Sequence, residues 1–311
     1  MPSDYKKIEV SLIATVFNEA DSILDFLESY KAQEILAQEF IIVDAFSSDQ
    51  TYELIKKFSA QNQNLNIKLF RKVSNRSQAR NFAATKSSAS YLAFTDAGCL
   101  LDRFWLAKLV QEQIKTKKRV VGGHFRGLAK SRLQEAIVPY FLQLNKKVNE
   151  QNFVPTTRSL LIEKKLWLEL GGLNESLVLS EDYELMLRIK KQKIAWAFTS
   201  QAIVYWLPPA NFLAFLKKIA NFASSDIEAG IIRPKVIFIF LRYLFFLFLI
   251  LSFKSIFFLV FFIFYLLWSI YKNQHNAPKA WFYFPLLQVS SDLMIMGASL
   301  WAGPKFKSRA L

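Results

Sequence analysis

The sequence predicts an α/β protein built on a mostly parallel sheet, followed by a group of transmembrane helices. Three observations carry this. Short β-branched apolar runs alternate with helical patterns up to about residue 125. Acidic residues stand at or just past the ends of three of these runs. From residue 235 the chain becomes nearly continuous apolar sequence, rich in phenylalanine.

The first strand is "IEVSLIATVF", and a helical stretch follows from Asp21 to about Lys31. "EFIIVDAF" is the second strand, after which Ser48 or Asp49 can cap the helix "QTYELIKKF". "NIKLF" is a third strand, "SQARNFAATKSS" a helix and "YLAFTD" a fourth strand. This alternation implies right-handed βαβ crossovers, with helices covering both faces of a parallel sheet. Ligands of such sheets bind beyond the carboxyl ends of the strands. Glu19, Asp44 and Asp96 lie there, and three carboxylates on one edge predict a shared site. Asp96 is the most telling, because a charge closing a buried strand is costly unless something pairs with it.

Beyond residue 125 the alternation loosens. "RGLAKSRLQEAIVPYFLQLNKKVNEQNF" has mixed helical character. It is followed by a short strand "RSLLI", a helix "EKKLWLEL", the turn "GGLNES" and a helix in "LSEDYELMLRIKKQK". Ser180 is the expected N-cap of that last helix, with Glu181 and Asp182 complementing the dipole in its first turn.

Of the 311 residues 52% are hydrophobic, 30 of them Phe, and the net charge is +15. Residues 230–311 alone carry nine Lys/Arg and one Asp, so half of the positive charge sits on the apolar tail. A basic, aromatic tail points to a membrane with anionic headgroups and not to nucleic acid. The single cysteine, Cys99, excludes an internal disulfide and fits a reducing compartment. "MPSDYKKIEV" lacks an apolar signal region, so the bulk of the chain is expected in the cytoplasm.

The tail holds three apolar segments, at about residues 236–253, 255–271 and 281–302. The first is interrupted only by Arg242, the second carries no charge, and Lys254 alone separates them, as in a tight helical hairpin. Side chains apolar on every face need lipid, which argues against buried core helices of a soluble domain. The third segment contains Pro285 and Asp292, and either spans or turns back as a re-entrant segment; its length favours a third span. Ahead of them, Phe212, Phe215, Ile219 and Phe222 recur at helical spacing. That stripe suits either the membrane surface or packing against the preceding domain. The expected organisation is a first domain over residues 1–207, an amphipathic linker over 208–234 and a membrane domain over 235–303.

Taken together, "SLIATVFNEADSILDFLES", "EFIIVDAFSSDQT", "ARNFAATKSSASYLAFTDAGCLLD" and "GGLNESLVLSEDYELMLR" resemble the family 2 glycosyltransferases. Each piece is weak alone; all four, in the family's order over residues 8–205, are strong. The resemblance implies a GT-A fold, a Rossmann-like nucleotide-sugar domain with a mostly parallel sheet. It also implies inverting transfer of a sugar from a nucleotide diphosphate sugar. The tail is similar to that of bacterial members acting on lipid-linked or membrane-delivered acceptors, in glycolipid or cell-envelope polysaccharide biosynthesis at the inner or plasma membrane. The catalytic domain would then be cytoplasmic and the membrane anchor multi-pass.

What the resemblance implies for single residues follows the matching positions. Thr15 and Glu19 match the first-strand element beside the nucleoside. Asp44 matches the acid that accepts a hydrogen bond from base or ribose. Arg80 matches the arginine near the base and diphosphate, although alone it would read as a surface helix arginine. Asp96 matches the first acid of the family's metal motif, implying a divalent cation (Mg2+ or Mn2+) on the diphosphate. Asp182 matches the catalytic base, with Glu181 beside it in the substrate site; a carboxylate there removes the acceptor's proton. Gly171 and Gly172 allow a tight turn near the acceptor.

Two departures matter. Asp-x-Asp has become Asp96-Ala97-Gly98, so a second carboxylate is absent. Either Asp96, diphosphate oxygens and water hold the ion, or Asp102 or His124 contributes, or the ion is weakly bound. The Gln-x-x-Arg-Trp stretch of the family's processive synthases is missing around residues 205–235, so a single, non-processive transfer is expected. A degenerate sugar-nucleotide-binding scaffold is the rival reading. A channel would need more polar groups in its spans than Arg242 and Asp292.

Overall fold

The computed structural model describes residues 8–142, 155–177, 180–228, 230–252, 255–275 and 277–309. Lys254, the expected turn of the hairpin, and "MPSDYKK" lie outside the described residues. The chain forms two compact units, Met1–Arg126 with Asn145–Leu207, and Gly127–Leu144 with Pro208–Leu311.

The first unit begins as the alternation predicts. Strand β1 (Val10–Val16) leads to α1 (Ile23–Lys31), β2 (Glu39–Asp44) to α2 (Thr51–Gln61), and β3 (Ile67–Arg71) to α3 (Arg76–Lys86) and β4 (Tyr91–Thr95). Gln50, and not the expected Ser48 or Asp49, is the N-cap residue of α2 and makes no side-chain capping bond. Asp49 stands one residue earlier and accepts from the Thr51 amide at 3.0 Å. α3 has a full capping box, Asn75 accepting from the Gln78 amide while the Gln78 side chain accepts from the Asn75 amide. β1 pairs in parallel with β2 and β4, and β2 with β3.

Every residue of β2 is buried, as a strand covered on both faces requires. The period of two divides the work. Phe40 meets Tyr30 and Phe26 of α1, with ring centroids 4.6 and 6.0 Å away. Ile41 and Val43 point the other way, into a core shared with Ala79 and Ala83 of α3.

The other half of the sheet is less legible in the sequence. Strand β5 (Cys99–Leu101), α4 (Trp105–Thr116), β6 (Val120–Gly127), β7 (Ser159–Glu163), α6 (Lys164–Glu169), α7 (Glu181–Lys191) and β8 (Ala197–Trp206) complete the unit, with α5 (Arg132–Phe141) belonging to the second. The strand order is β3-β2-β1-β4-β7-β6-β8-β5, and β7 runs antiparallel to both β4 and β6. The eight-stranded sheet is therefore mixed: parallel where crossover helices connect neighbours, and largely antiparallel beyond β4. Close approach of β6 to its neighbours demands Gly123, where a Cβ would lie 2.1 Å from Ser159 Oγ and 2.7 Å from the Ala202 carbonyl oxygen.

The second unit contains α8 (Phe212–Glu228), α9 (Pro234–Leu251), α10 (Ser255–Asn273) and α11 (Phe284–Arg309), together with α5. The apolar stripe of α8 is covered: Phe215 and Ile219 are buried with Ala136 and Ile137 of α5 and Phe284 and Leu287 of α11. α9 and α10 are long and apolar enough to cross a membrane. Pro285 does not break α11 but sits in its first turn, where proline lacks only an amide that would be unpaired anyway.

Candidate functional site

The site grows from two consecutive residues of α3. Arg80 is 2% exposed and uses both ends of its guanidinium. Nη2 donates to Asp96 Oδ1 at 2.6 Å, just past the end of β4, and Nη1 donates to Glu181 Oε1 at 2.8 Å, at the start of α7. Such charge-assisted bonds are among the stronger ones, and in a buried setting they lock three elements together. Asn81 holds the loop that leads to α7. Its side chain donates to the Leu173 carbonyl and accepts from the Leu173 amide, at 2.8 and 2.9 Å.

That loop needs its glycines. Gly171 and Gly172 have φ of 76° and 67°, and a Cβ on Gly172 would lie 2.3 Å from Asn81 Oδ1. From the other side Arg188 of α7 donates to the carbonyls of Leu170 and, at 2.7 Å, Gly172. Ser180 occupies the expected N-cap position, but with φ 61° and no side-chain capping bond to the helix. A left-handed serine costs about 1–2 kcal/mol. Strain of this kind persists where surrounding contacts over-determine the backbone, and here it sits directly before Glu181 and Asp182.

A residue unmarked in the sequence completes the cluster. The register pairs Thr95 with Ser159, so Arg158 falls opposite Asp96. Its Nε donates to Asp96 Oδ2 at 3.2 Å, and its guanidinium lies over the rings of Phe125 and Trp206 at 5.4 and 5.6 Å. Burial alone would raise the Asp96 carboxyl, but Arg80, Arg158 and Arg76 hold it well below the usual carboxylate range. Burial pushes the Glu181 carboxyl up, with Arg80 opposing and the charge of Asp182 adding to the rise.

The remaining expected residues stand nearby on the parallel half. Thr15 is half-buried on β1, paired in register with Val43. Glu19 accepts from Ser22 Oγ at 2.6 Å, and its Oε1 lies 3.5 Å from where a Cβ of Gly98 would be, so this carboxylate leans on the position where the motif lacks its second acid. Asp44 is fully buried and already engaged: it accepts from the Ser47 hydroxyl and amide and from Arg71 Nε at 3.1 Å. Arg71 in turn lies over Phe46 and Tyr52, both 4.8 Å away. The structure thus joins Arg80, Asp96 and Glu181 directly, sets Asp182 beside them in sequence, and puts Thr15, Glu19 and Asp44 at neighbouring strand ends.

The donor set for a cation is narrow. Asp102 accepts from the Phe104 amide and the Tyr205 hydroxyl, and His124 lies 6.1 Å from the rings of Phe125 and Phe198. No group of three or more His, Cys, Asp or Glu that could hold a metal ion converges among the described residues. The Asp96 side chain is 27% exposed, however, and one reachable carboxylate fits a cation carried mainly by diphosphate oxygens and water.

A mixed α/β sheet with an acidic and basic cluster past its strand ends is the arrangement of a GT-A glycosyltransferase. Residues 11–165 match the model of glycosyl transferase family 2, and the chain belongs to that family. It is 25% identical over 227 residues to glycosyltransferase AglE of Haloferax volcanii, covering 70% of this chain and 73% of that protein. Among solved structures it is similar to the mannosyltransferase PcManGT from Pyrobaculum calidifontis in complex with GDP-Man and Mn2+ (TM-score 0.55, 17% identity). It is also similar to S. aureus TarS 1-349 in complex with UDP-GlcNAc (TM-score 0.54, 16% identity). Both matches cover 70% of this chain, which spans 61% of the first structure and 66% of the second.

Proposed function

We propose that this glycosyltransferase moves one sugar from a nucleotide diphosphate sugar to a hydroxyl of a lipid-linked acceptor, with inversion and without processive extension. The single observation that carries this reading is Arg80, bridging Asp96 and Glu181 in the same buried cluster. In the proposal the Asp96 end receives the donor's diphosphate and the Glu181–Asp182 end receives the acceptor. Thr15, Glu19 and Asp44 flank the nucleoside.

Asp182 takes the proton from the attacking hydroxyl. The oxygen adds to the anomeric carbon from the side opposite the diphosphate, and the bond to the diphosphate breaks. Arg80 and Arg158 supply positive charge where the leaving group gains negative charge. A divalent cation, when bound, adds charge there, with Asp96 as its protein ligand. The support for a cation is the exposed edge of Asp96 and the Mn2+ of PcManGT. A membrane location is supported by the length and apolar composition of α9 and α10, and the proposal places the catalytic unit in the cytoplasm because the nucleotide sugars are held there.

Gly98 favours the rival, a sugar-nucleotide binder that has lost catalysis. Membranes containing the protein, incubated with a panel of labelled nucleotide sugars and extracted into organic solvent, separate the two. Label entering the lipid phase in a protein-dependent way supports the enzyme. Donor binding with neither transfer nor hydrolysis would establish the scaffold instead.

A further inference from the structure

The buried polar groups of the second unit have no part in the chemistry above. α9 and α10 run antiparallel, with Phe246 edge-on to Phe258, Phe262 and Tyr265 at 5.8, 6.0 and 6.1 Å. The start of α9 is therefore level with the end of α10. On α9 the stripe Lys235, Ile239, Arg242, Phe246, Leu249 follows helical spacing, and Ile239, Phe246 and Leu249 are buried. Arg242 thus lies on the face turned toward the other helices, and Lys235 continues the stripe at the exposed start of α9. On α10, Tyr265, Ser269 and Lys272 share a stripe in the same way, Tyr265 and Ser269 being buried. Arg242 lies 4.2 Å from the Tyr265 ring centroid.

α11 answers with a single carboxylate. Asp292, 1% exposed, accepts from Arg242 Nη2, from the Tyr265 hydroxyl and, at 3.1 Å, from Gln288 Nε2. A structural pair between helices needs one cation for one carboxylate. Here there are three. Lys235 and Lys272 lie within electrostatic range of Asp292, and Lys235 also of Asp226, which Arg233 already pairs. Neither lysine forms a salt bridge among the described residues, and Lys272 Nζ lies 4.9 Å over the Trp268 ring. Arg242 keeps a buried Nε–H without an acceptor. An arginine in an apolar helix is expensive, and excess positive charge around it calls for an anion.

We infer that Lys235, Arg242 and Lys272 hold the phosphate head of a lipid, and that this phosphate is the handle of the acceptor. The inference rests on the reading that the acceptor is lipid-linked. Two uncompensated charges suit a phosphomonoester or diphosphate better than the single charge of a phosphodiester. The ladder from Lys235 to Arg242 runs inward by about 10 Å at 1.5 Å per residue, so a phosphate can enter from the helix ends while its tail stays among apolar faces. The guanidinium offers N–H donors to phosphate oxygen and the lysines supply point charges. The phosphate is a handle and not the nucleophile, because a base such as Asp182 is needed where a hydroxyl attacks.

The test is equilibrium binding of radiolabelled polyisoprenyl diphosphate to the full chain in phosphatidylcholine nanodiscs. The corresponding alcohol and phosphatidylglycerol serve as competitors. Lys235 and Lys272 are exposed, so the double variant Lys235→Gln/Lys272→Gln should fold, and Arg242→Gln is the second variant. The double variant is expected to bind about tenfold more weakly or worse, since charged hydrogen bonds contribute roughly 1.5–3 kcal/mol. Nucleotide-sugar binding stays unchanged and KM for the lipid acceptor rises in step. Equal binding by both double variant and wild type, or displacement by the alcohol or by phosphatidylglycerol, would overturn the site. If such a result came with intact transfer to lipid, the acceptor reading would survive it. Lysine-dependent binding without transfer to any lipid-linked acceptor would instead sink the acceptor reading, and the handle with it.

Discussion

Arg80 donates to Glu181 at 2.8 Å across 101 positions of sequence, and the same guanidinium donates to Asp96 at 2.6 Å. One buried arginine therefore sets the spacing between the end of β4 and the start of α7. Removing it leaves Glu181 in a poorly solvated place without its counter-charge, and leaves Asp96 with Arg158 alone. Arg80→Gln should destabilise the protein by about 3–5 kcal/mol, the usual effect of breaking one side of a buried pair. Thermal unfolding of Arg80→Gln, Glu181→Gln and the double variant measures the coupling. Purely additive losses would show that the pair is not a unit.

Asp182→Asn should lower kcat by about 10²–10⁴-fold while donor affinity changes little, because the amide keeps the shape and loses the proton acceptance. Steady-state kinetics with separate donor-binding measurements read this out. Near-normal turnover would move the base elsewhere, Glu181 being next in line.

Asp96→Ala is expected to weaken donor binding and to abolish any response to Mg2+ or Mn2+. Wild-type activity should fall on chelation and return when the ion is restored. Activity indifferent to a chelator would remove the cation from the scheme and leave diphosphate neutralisation to Arg80 and Arg158. Arg158→Gln then becomes the decisive variant.

Acid stability should depend on a residue far from the chemistry. Burial by itself raises the Glu39 carboxyl, but Lys68, Ser11 and Ser88 bring it down to about 2. A lowered folded value means the stabilisation is complete above the unfolded value and is lost as pH falls through the folded one. Between about pH 4.5 and pH 2, Tm of the wild type should therefore fall more steeply than that of Glu39→Gln. Parallel profiles would refute the assignment.

Topology can be read by labelling single cysteines placed at Lys254 and Lys307 in a Cys99→Ser background. Outside labelling at both positions corresponds to three spans, and at Lys254 alone to a third segment that returns. Protection of Lys254 would overturn the hairpin.

The parallel half of the sheet was legible because its instructions are local. β-branched runs of five to seven residues and crossovers of one helix each are read within a short window. The apolar helices α9 and α10 announced themselves by composition for the same reason. Beyond β4 the signals fail: β5 is three residues long, and β8 is interrupted by Thr199, Ser200 and Gln201, so it is pairing across the sheet, β5 on β8 and β8 on β6, that makes them strands. The site shows the same division. Asp96, Arg80 and Asp182 were marked by their motifs, whereas Arg158 carries no motif and reaches Asp96 only through the antiparallel register of β7 on β4. Asp44 looks like an available carboxylate in the sequence and is enclosed by Ser47 and Arg71 in the fold. Periodicity and turn chemistry act between neighbours in the chain, so the sequence shows them. Which charge meets which is decided by the path of the backbone and by the cost of leaving a buried charge unpaired, and that only the tertiary structure settles.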